Sequence, residues 1–233
     1  MKMNTTDNQN IFVIVPAYNE GAVIATTVAP LIEAGYTVVV IDDCSTDNTA
    51  DALANLPVHY LKHELNLGQG AALQTGVDYA HSLGAQYLVM FDADGQHNHE
   101  EIADLLNPIR LGRADITLGS RFKRVEDIAQ IPPSRKLILK GAILINGLFT
   151  GMWLTDAHNG FRAMNRKAMA QIKMRESRMA HATEILSLIK QAVLKYEEVP
   201  VKIVYTDYSK MKGQSSLNSI NILIDLFVKK ILG

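Results

Sequence analysis

Tyr87-Leu88-Val89-Met90-Phe91-Asp92-Ala93-Asp94-Gly95-Gln96 is the stretch on which both fold and chemistry turn. A short apolar run runs straight into two carboxylates separated by one small residue, and then into glycine. The run has the length of a buried strand. Glycine permits the tight turn that closes it. Two carboxylates two residues apart, just past a strand, converge on a hard divalent cation. Mg²⁺ or Mn²⁺ prefers such oxygen ligands and completes its shell with substrate phosphates.

Other readings of an Asp-x-Asp-Gly turn compete with this one. An EF-hand loop requires glycine five residues after Asp92, where the chain has His97. A haloacid-dehalogenase-like phosphatase wants threonine after the glycine and a position near the chain start. Here Gln96 follows and the motif lies mid-chain. A plain acidic turn stays open on these residues alone.

Outward from this strand the first half of the chain alternates. Apolar, β-branched runs at Ile11–Val15, Val38–Ile41, Val58–Leu61 and Ile116–Leu118 predict further strands. Helical spacing occupies Ala22–Ala34, Ala71–Leu83 and Glu100–Arg110. Strands alternating with helices imply right-handed crossovers and a largely parallel sheet, with ligands bound beyond the carboxyl ends of the strands. Those ends carry Tyr18, Asp43 and Asp92. Further on, spacing predicts a helix over His181–Lys195 and a strand over Val199–Tyr205.

Composition narrows the class. With 233 residues, 48% of them hydrophobic and 20% charged, the chain fits one α/β domain and is no disordered polymer. A net charge of -1 provides no global field to recruit nucleic acid. Cys44 is the one cysteine, so no internal disulfide forms. The polar N-terminus lacks the apolar core of a secretory signal, and no apolar run reaches the roughly 20 residues of a membrane span. The expectation is a cytoplasmic protein, peripheral at the inner face of the cell membrane. Residues 1–10 are read as flexible, 11–214 as the catalytic domain, and 215–233 as a C-terminal amphipathic helix. Leu217, Ile220, Ile224, Phe227 and Ile231 share one stripe of that helix. The stripe suits the core, a membrane interface or a small membrane-protein partner equally well.

Two upstream segments add to the acidic turn. Val15-Pro16-Ala17-Tyr18-Asn19-Glu20 closes the first strand, and Asp42-Asp43-Cys44-Ser45-Thr46-Asp47 closes the second. A carboxylate at a strand end accepts N–H bonds from a nucleobase, while Tyr18 provides a stacking face. Ser45, Thr46 and Asp47 also make a helix N-cap signature. Gly68-x-Gly70 lacks the third glycine of a dinucleotide fingerprint, since Leu73 stands there. His97 and His99 are read as exposed or as assisting Gln96, and Glu184 as a base or a surface acid.

The series V-P-A-Y-N-E, D-D-x-S-T-D-x-T, N-x-G-x-G-A (Asn66–Ala71), D-A-D-G-Q and S-R-F (Ser120–Phe122) resembles the family 2 glycosyltransferases. Within them it is most similar to the dolichol-phosphate mannose synthase and polyprenyl-phosphate glycosyltransferase branch. The resemblance implies a GT-A sandwich, nucleotide-diphospho-sugar transferase-like, with a mostly parallel sheet flanked by helices. It implies an inverting, Mg²⁺- or Mn²⁺-dependent transferase that moves sugar from a UDP- or GDP-linked donor to polyprenyl phosphate. Pro16, Tyr18, Glu20, Asp43 and Asp92 match the nucleotide pocket, and Asp92, Asp94 and Gln96 the metal site. Asp94, Arg121 and Asp156 match catalytic positions. Arg135, Asn159, Arg162 and Lys212 match positions that hold the acceptor or its phosphate. Asn159 replaces the usual serine of D-x-x-S-G-F-R, and K-G-Q-S-S (Lys212–Ser216) lacks the trailing lysine of the family's mobile loop. Two rival activities remain: transfer to a sugar hydroxyl, which needs Glu184 or Asp156 as base, and nucleotidyl transfer. The second would want a Gly-rich, basic triphosphate loop after the first strand, and the chain has none there.

Overall fold

The computed structural model describes residues 8, 10–123, 143, 147, 151–157, 159–176 and 180–204. Their strands are β1 (Ile11–Ala17), β2 (Thr37–Asp42), β3 (His59–Lys62), β4 (Tyr87–Met90), β5 (Ile116–Ser120), β6 (Arg162–Asn165) and β7 (Tyr196–Pro200). The helices are α1 (Ile24–Glu33), α2 (Thr49–Leu53), α3 (Gln69–Ser82), α4 (Ile102–Arg110), α5 (Arg166–Gln171) and α6 (His181–Gln191), with a 3₁₀ turn at His99–Glu101.

The strands make one sheet in the order β3-β2-β1-β4-β6-β5-β7. β1 pairs in parallel with β2 and β4, as β2 does with β3 and β5 with β7. β6 runs antiparallel to both neighbours, β4 and β5. The chain therefore has the α/β, mostly parallel architecture expected of a GT-A fold. β1 is buried on both faces, Ile11 to Ala17, which is why it reads as an unbroken apolar run.

Two cores cover the two faces. Phe12, Ile14, Ile41, Leu88 and Met90 pack on one side with Val77 of α3 and Ile185 of α6. Val13, Val15, Val40, Val89 and Phe91 pack on the other with Ile24 and Leu31 of α1 and Leu105 of α4. The N-terminal stretch 1–10 contributes two described residues, and both are held. Asn8 donates from Nδ2 to Ala34 O at 2.8 Å, and Asn10 O accepts from Gln86 and Tyr87.

The later elements depart from the sequence reading. The last strand is Tyr196–Pro200 rather than Val199–Tyr205, because pairing with β5 aligns Ile116 with Tyr196 and Ser120 with Pro200. The helix expected over His181–Lys195 stops at Gln191, two residues before Val193 takes a left-handed φ of 51°. The basic stretch after Lys123, most of the apolar stretch Lys136–Trp153 and the segment 215–233, expected to be a helix, lie outside the described residues, as do Arg135 and Lys212.

Candidate active site

Four loops meet beyond the carboxyl ends of β1, β2, β4 and β5. The first two are laced together. Asn19, at φ 55°, accepts from Thr46 N on its side-chain oxygen at 2.8 Å and donates its own N–H to Ser45 Oγ at 2.9 Å. Glu20 N donates to Thr49 Oγ1, and Gly21 N to Asp47 Oδ2. Asp47 also accepts from Thr49 N at 3.0 Å. The N-cap of α2 is Asn48, with no side-chain cap bond, and the Ser45–Asp47 cluster expected to cap instead holds the V-P-A-Y-N-E loop against the D-D-x-S-T-D loop. Tyr18 projects from that seam, 45% exposed.

Asp43 is buried and draws in a third segment. Its Oδ1 meets His63 Nδ1 at 2.8 Å and Leu67 N at 2.9 Å, and its Oδ2 accepts from Gly68 N at 2.6 Å. Asp42 is fully buried and spent on structure, accepting from Ser45 N and the Tyr60 hydroxyl. The phenol of Tyr60 is raised in turn by burial, then by that bond and the charge of Asp42.

The acidic turn after β4 holds its two carboxylates in different states. Asp92 Oδ2 meets His97 Nε2 at 3.0 Å, and Oδ1 accepts from Gln69 Nε2 at 3.2 Å. Burial alone would raise the Asp92 carboxyl. The His97 bond, with the charges of His97, His181 and Arg162, outweighs burial and holds it below the ordinary range. Asp94 goes the other way, raised by burial and next by the charge of Asp92. Gly95 takes φ 73°, and Gln96 N donates back to Asp94 Oδ1 at 3.0 Å. α1 braces the turn, with Thr27 Oγ1 donating to Ala93 O. Between α1 and the turn lies a cavity of about 310 Å³ whose wall includes Thr26, Pro30, Asp94 and His99.

His97 corrects the expectation of an exposed histidine. It is buried, its ring stacked on Phe161 at 4.6 Å and edge-on to Phe91. Glu184, read as a base or a capped surface acid, is capped. Its two oxygens accept from Arg175 N and Glu176 N at 2.8 and 2.9 Å, which ties the 175–176 loop to α6.

The segment before β6 closes the site. A Cβ on Gly160 would stand 2.6 Å from Asp92 Oδ2, so the D-A-H-N-G-F-R stretch is pressed against the acidic turn. Asp156 forks onto Arg121: Oδ2 accepts from Nε at 2.7 Å and from the backbone N at 3.1 Å, and Oδ1 from Nη2 at 2.9 Å. The Asp156 side chain is 2% exposed and that of Arg121 31%. Arg162 is buried between the two acidic clusters. Burial lowers its pKa to about 10, against the opposing charges of Asp92 and Asp156. Asn159 is buried too, accepting from Phe161 N on Oδ1, while its Nδ2 has no partner among the described residues. Asn159 and Arg162 therefore stand behind the site's surface. Glu198 of β7, which sequence reading passes over, joins the cluster through Thr155 and Asp156.

A hard divalent cation fits this donor set. Asp94 has no ion pair among the described residues, and its raised pKa marks a carboxylate short of positive charge. Among the described residues no three His, Cys, Asp or Glu side chains make a complete metal cage.

A mostly parallel sheet with acidic groups and a partly exposed arginine along its carboxyl edge suits a nucleotide-sugar type of transferase, and comparison with known proteins gives that class. The model of glycosyl transferase family 2 matches residues 12–173, and the chain belongs to that family. It is 32% identical to the UDP-N-acetylglucosamine–dolichyl-phosphate N-acetylglucosaminyltransferase of Methanococcus voltae, over 94% of this chain and 96% of the relative. An uncharacterized protein of Methanocaldococcus jannaschii is 33% identical over 99% and 96% of the two chains. The dolichol-phosphate mannosyltransferase of Pyrococcus furiosus is 30% identical over 91% of this chain and 60% of the relative. Within the family the chain groups with the polyprenyl-phosphate branch. It is a glycosyltransferase of the GT-A fold. Glucosyl-3-phosphoglycerate synthase from Mycobacterium tuberculosis, solved with Mn²⁺ and UDP-glucose, superposes with a TM-score of 0.65 over 96% of this chain and 78% of that one. At 16% identity that likeness speaks for the fold alone.

Proposed function

We propose that the chain transfers a sugar, with inversion, from a UDP- or GDP-linked donor to a polyprenyl phosphate at the inner face of the cell membrane. The observation that carries this reading is the Asp156–Arg121 fork at the end of β5, on the same edge of the sheet as the acidic turn. It leaves the guanidinium partly exposed, where a donor diphosphate can reach it. The relatives named for dolichyl- and polyprenyl-phosphate transfer support the acceptor class.

Pro16, Tyr18, Glu20, Asp43 and Asp92 form the nucleoside pocket, with Tyr18 as the stacking face. Asp43 retains acceptor capacity on Oδ2 beyond the bond from Gly68 N. Asp92, Asp94 and Gln96 hold Mg²⁺ or Mn²⁺, which supplies positive charge against the donor diphosphate. Arg121 binds the departing nucleoside diphosphate and favours charge building on its leaving oxygen. A phosphate oxygen of the acceptor forms the new bond to the anomeric carbon as the bond to the diphosphate breaks on the opposite face. The acceptor phosphate is ionised near neutral pH and needs no base. Asp156 orients Arg121, and Asn159 and Arg162 support that half of the site from beneath. Arg135 and Lys212 hold the acceptor phosphate in this reading; both lie outside the described residues.

Transfer to a sugar hydroxyl is the weaker reading, since its candidate bases are engaged: Glu184 by two backbone N–H groups and Asp156 by Arg121. No described helix is long and apolar enough to cross a membrane. Attachment through the 215–233 helix, to the bilayer or to a small membrane protein, is part of the proposal. The test is transfer of label from UDP-N-acetylglucosamine, UDP-glucose and GDP-mannose into organic solvent, with undecaprenyl phosphate and Mg²⁺ or a chelator. Metal-dependent label in the organic phase is expected. Donor turnover with label reaching only soluble saccharide would overturn the lipid reading.

A further inference from the structure

We propose that Glu198 is a positioning residue that fixes the orientation of Arg121 through two separate routes; the inference rests on the role given above to Arg121. Glu198 lies on β7, outside every segment that marks the site in sequence. Its Oε1 nevertheless accepts three bonds from the opposite loop: Thr155 N at 2.7 Å, the Thr155 hydroxyl at 2.8 Å and Asp156 N at 3.2 Å.

The first route runs through Asp156. With its backbone N–H and that of Thr155 both held by one oxygen, the 155–156 turn has little freedom. The Asp156 carboxylate is then presented to the Nε, Nη2 and backbone N of Arg121. A guanidinium gripped at two nitrogens loses most of its rotamer freedom, so its remaining donors point one way.

The second route is a directed chain of hydroxyls. A hydroxyl has one proton to give. Thr155 gives its proton to Glu198, so in the 2.6 Å contact between Ser120 and Thr155 it is Ser120 that donates. Ser120 Oγ is then an acceptor for Phe122 N, at 3.2 Å. Ser120 and Phe122 flank Arg121, so the chain sets the backbone on both sides of it. Ser120 is fully buried, and its hydroxyl has no water to turn to if the order is broken. An acceptor at Glu198 therefore imposes one polarity on the Phe122–Ser120–Thr155 chain.

A side chain acting this way is tested by its dependence on Arg121. Glu198→Ala is expected to lower kcat about 100-fold, the scale of a small misplacement at a reacting centre, while donor KM stays within about threefold. Glu198→Gln keeps an oxygen acceptor for the three bonds and is expected to restore kcat to within about fivefold of wild type. In an Arg121→Lys background Glu198→Ala should cost less than about threefold more, because both changes remove one function. Thr155→Val, which deletes only the hydroxyl link, is measured in parallel in case the alanine variant folds poorly, and a fall of about tenfold is expected. The donor is whichever of UDP-N-acetylglucosamine, UDP-glucose and GDP-mannose the wild type uses best, with undecaprenyl phosphate as acceptor. Full additivity of Glu198→Ala with Arg121→Lys, or a glutamine variant as poor as alanine, would overturn the inference. If Arg121→Ala is inactive while Glu198→Ala and Thr155→Val keep wild-type kcat, positioning alone fails. If Arg121→Ala transfers sugar at the wild-type rate, the role of Arg121 falls and positioning falls with it.

Discussion

Adding a single methyl group at Gly160 probes how tightly the two halves of the site are fitted. Gly160 is not among the glycines with positive φ, so alanine meets no backbone penalty there. The obstacle is steric and specific: the new Cβ would lie 2.6 Å from Asp92 Oδ2 and 3.0 Å from Oδ1. Ordinary contact begins near 3.4 Å, so the carboxylate or the Gly160 backbone must yield by about 0.8 Å in a closely packed region. Asp92 is tethered by His97 at 3.0 Å and Gln69 at 3.2 Å, and a shift of that size breaks at least one tether. Misplacement by about 1 Å costs on the order of 100-fold in rate, and that is the expected loss in kcat for Gly160→Ala. Stability should move little, because lower unfolded-chain entropy contributes about 0.4–1 kcal/mol against the clash. Transfer kinetics and thermal melting, run on the same preparation, separate the two effects. Activity within threefold of wild type would show that Asp92 has room to spare, and the close fit inferred between the acidic turn and the segment before β6 would be wrong.

Three further variants test the electrostatics. The pKa of Asp94 is raised by burial and by Asp92, so its ionised form weakens the fold above that pKa, and the penalty disappears as pH falls through it. Asp94→Asn should therefore raise Tm near neutral pH, lose that gain toward about pH 4, and abolish transfer, all read by melting across pH with parallel assays. His97→Phe preserves the ring stack on Phe161 and deletes the bond to Asp92; transfer should fall about tenfold, with the acid limb of the pH–rate profile displaced to higher pH as Asp92 loses its main support. Asp115 is raised by burial but lowered more by Lys167, Lys195 N and Asn165, so its contribution is present above the usual carboxylate range and is lost as pH falls through its lowered value. Asp115→Ala should cost about 2 kcal/mol in urea unfolding at pH 7, and much less under strongly acid conditions.

Much of the parallel half of the fold was legible because β1, β2 and β4 are largely buried on both faces and end in polar turns. Val38–Ile41 and Tyr87–Phe91 announce themselves without reference to anything distant. The edge of the sheet that collects Tyr18, Asp43 and Asp92 follows from strand direction alone. β6 was not legible. Its four residues, Arg-Ala-Met-Asn, carry no period, and they become a strand only because β4 and β5 offer both edges. The displaced last strand has the same cause, since β5 sets the register that brings Glu197 and Glu198 into the sheet. His97 looked like a surface residue because nothing nearby in sequence announces Phe161 as its stacking partner. Glu198 drew no reading because its partners lie more than 40 residues away. Local pattern exposes groups that meet substrate, whereas groups that hold those groups in place are set by tertiary contacts.

The reversed strand β6 also sets a timetable for the growing chain. β4 leaves the ribosome with β1 on one edge and nothing on the other, and its missing neighbour starts at Arg162, 72 residues after Met90. At ordinary elongation rates that interval is on the order of 10 s, far longer than a hairpin or helix needs to form. Throughout it a largely buried apolar strand presents an unpaired edge beside a carboxylate turn. The donor half is therefore built early and left open, and the segment that completes the site is also the one that seals the nascent sheet. Opening the chain between β4 and β6 by circular permutation, so that β6 is already made when β4 emerges, should reduce aggregation during synthesis without altering the folded enzyme.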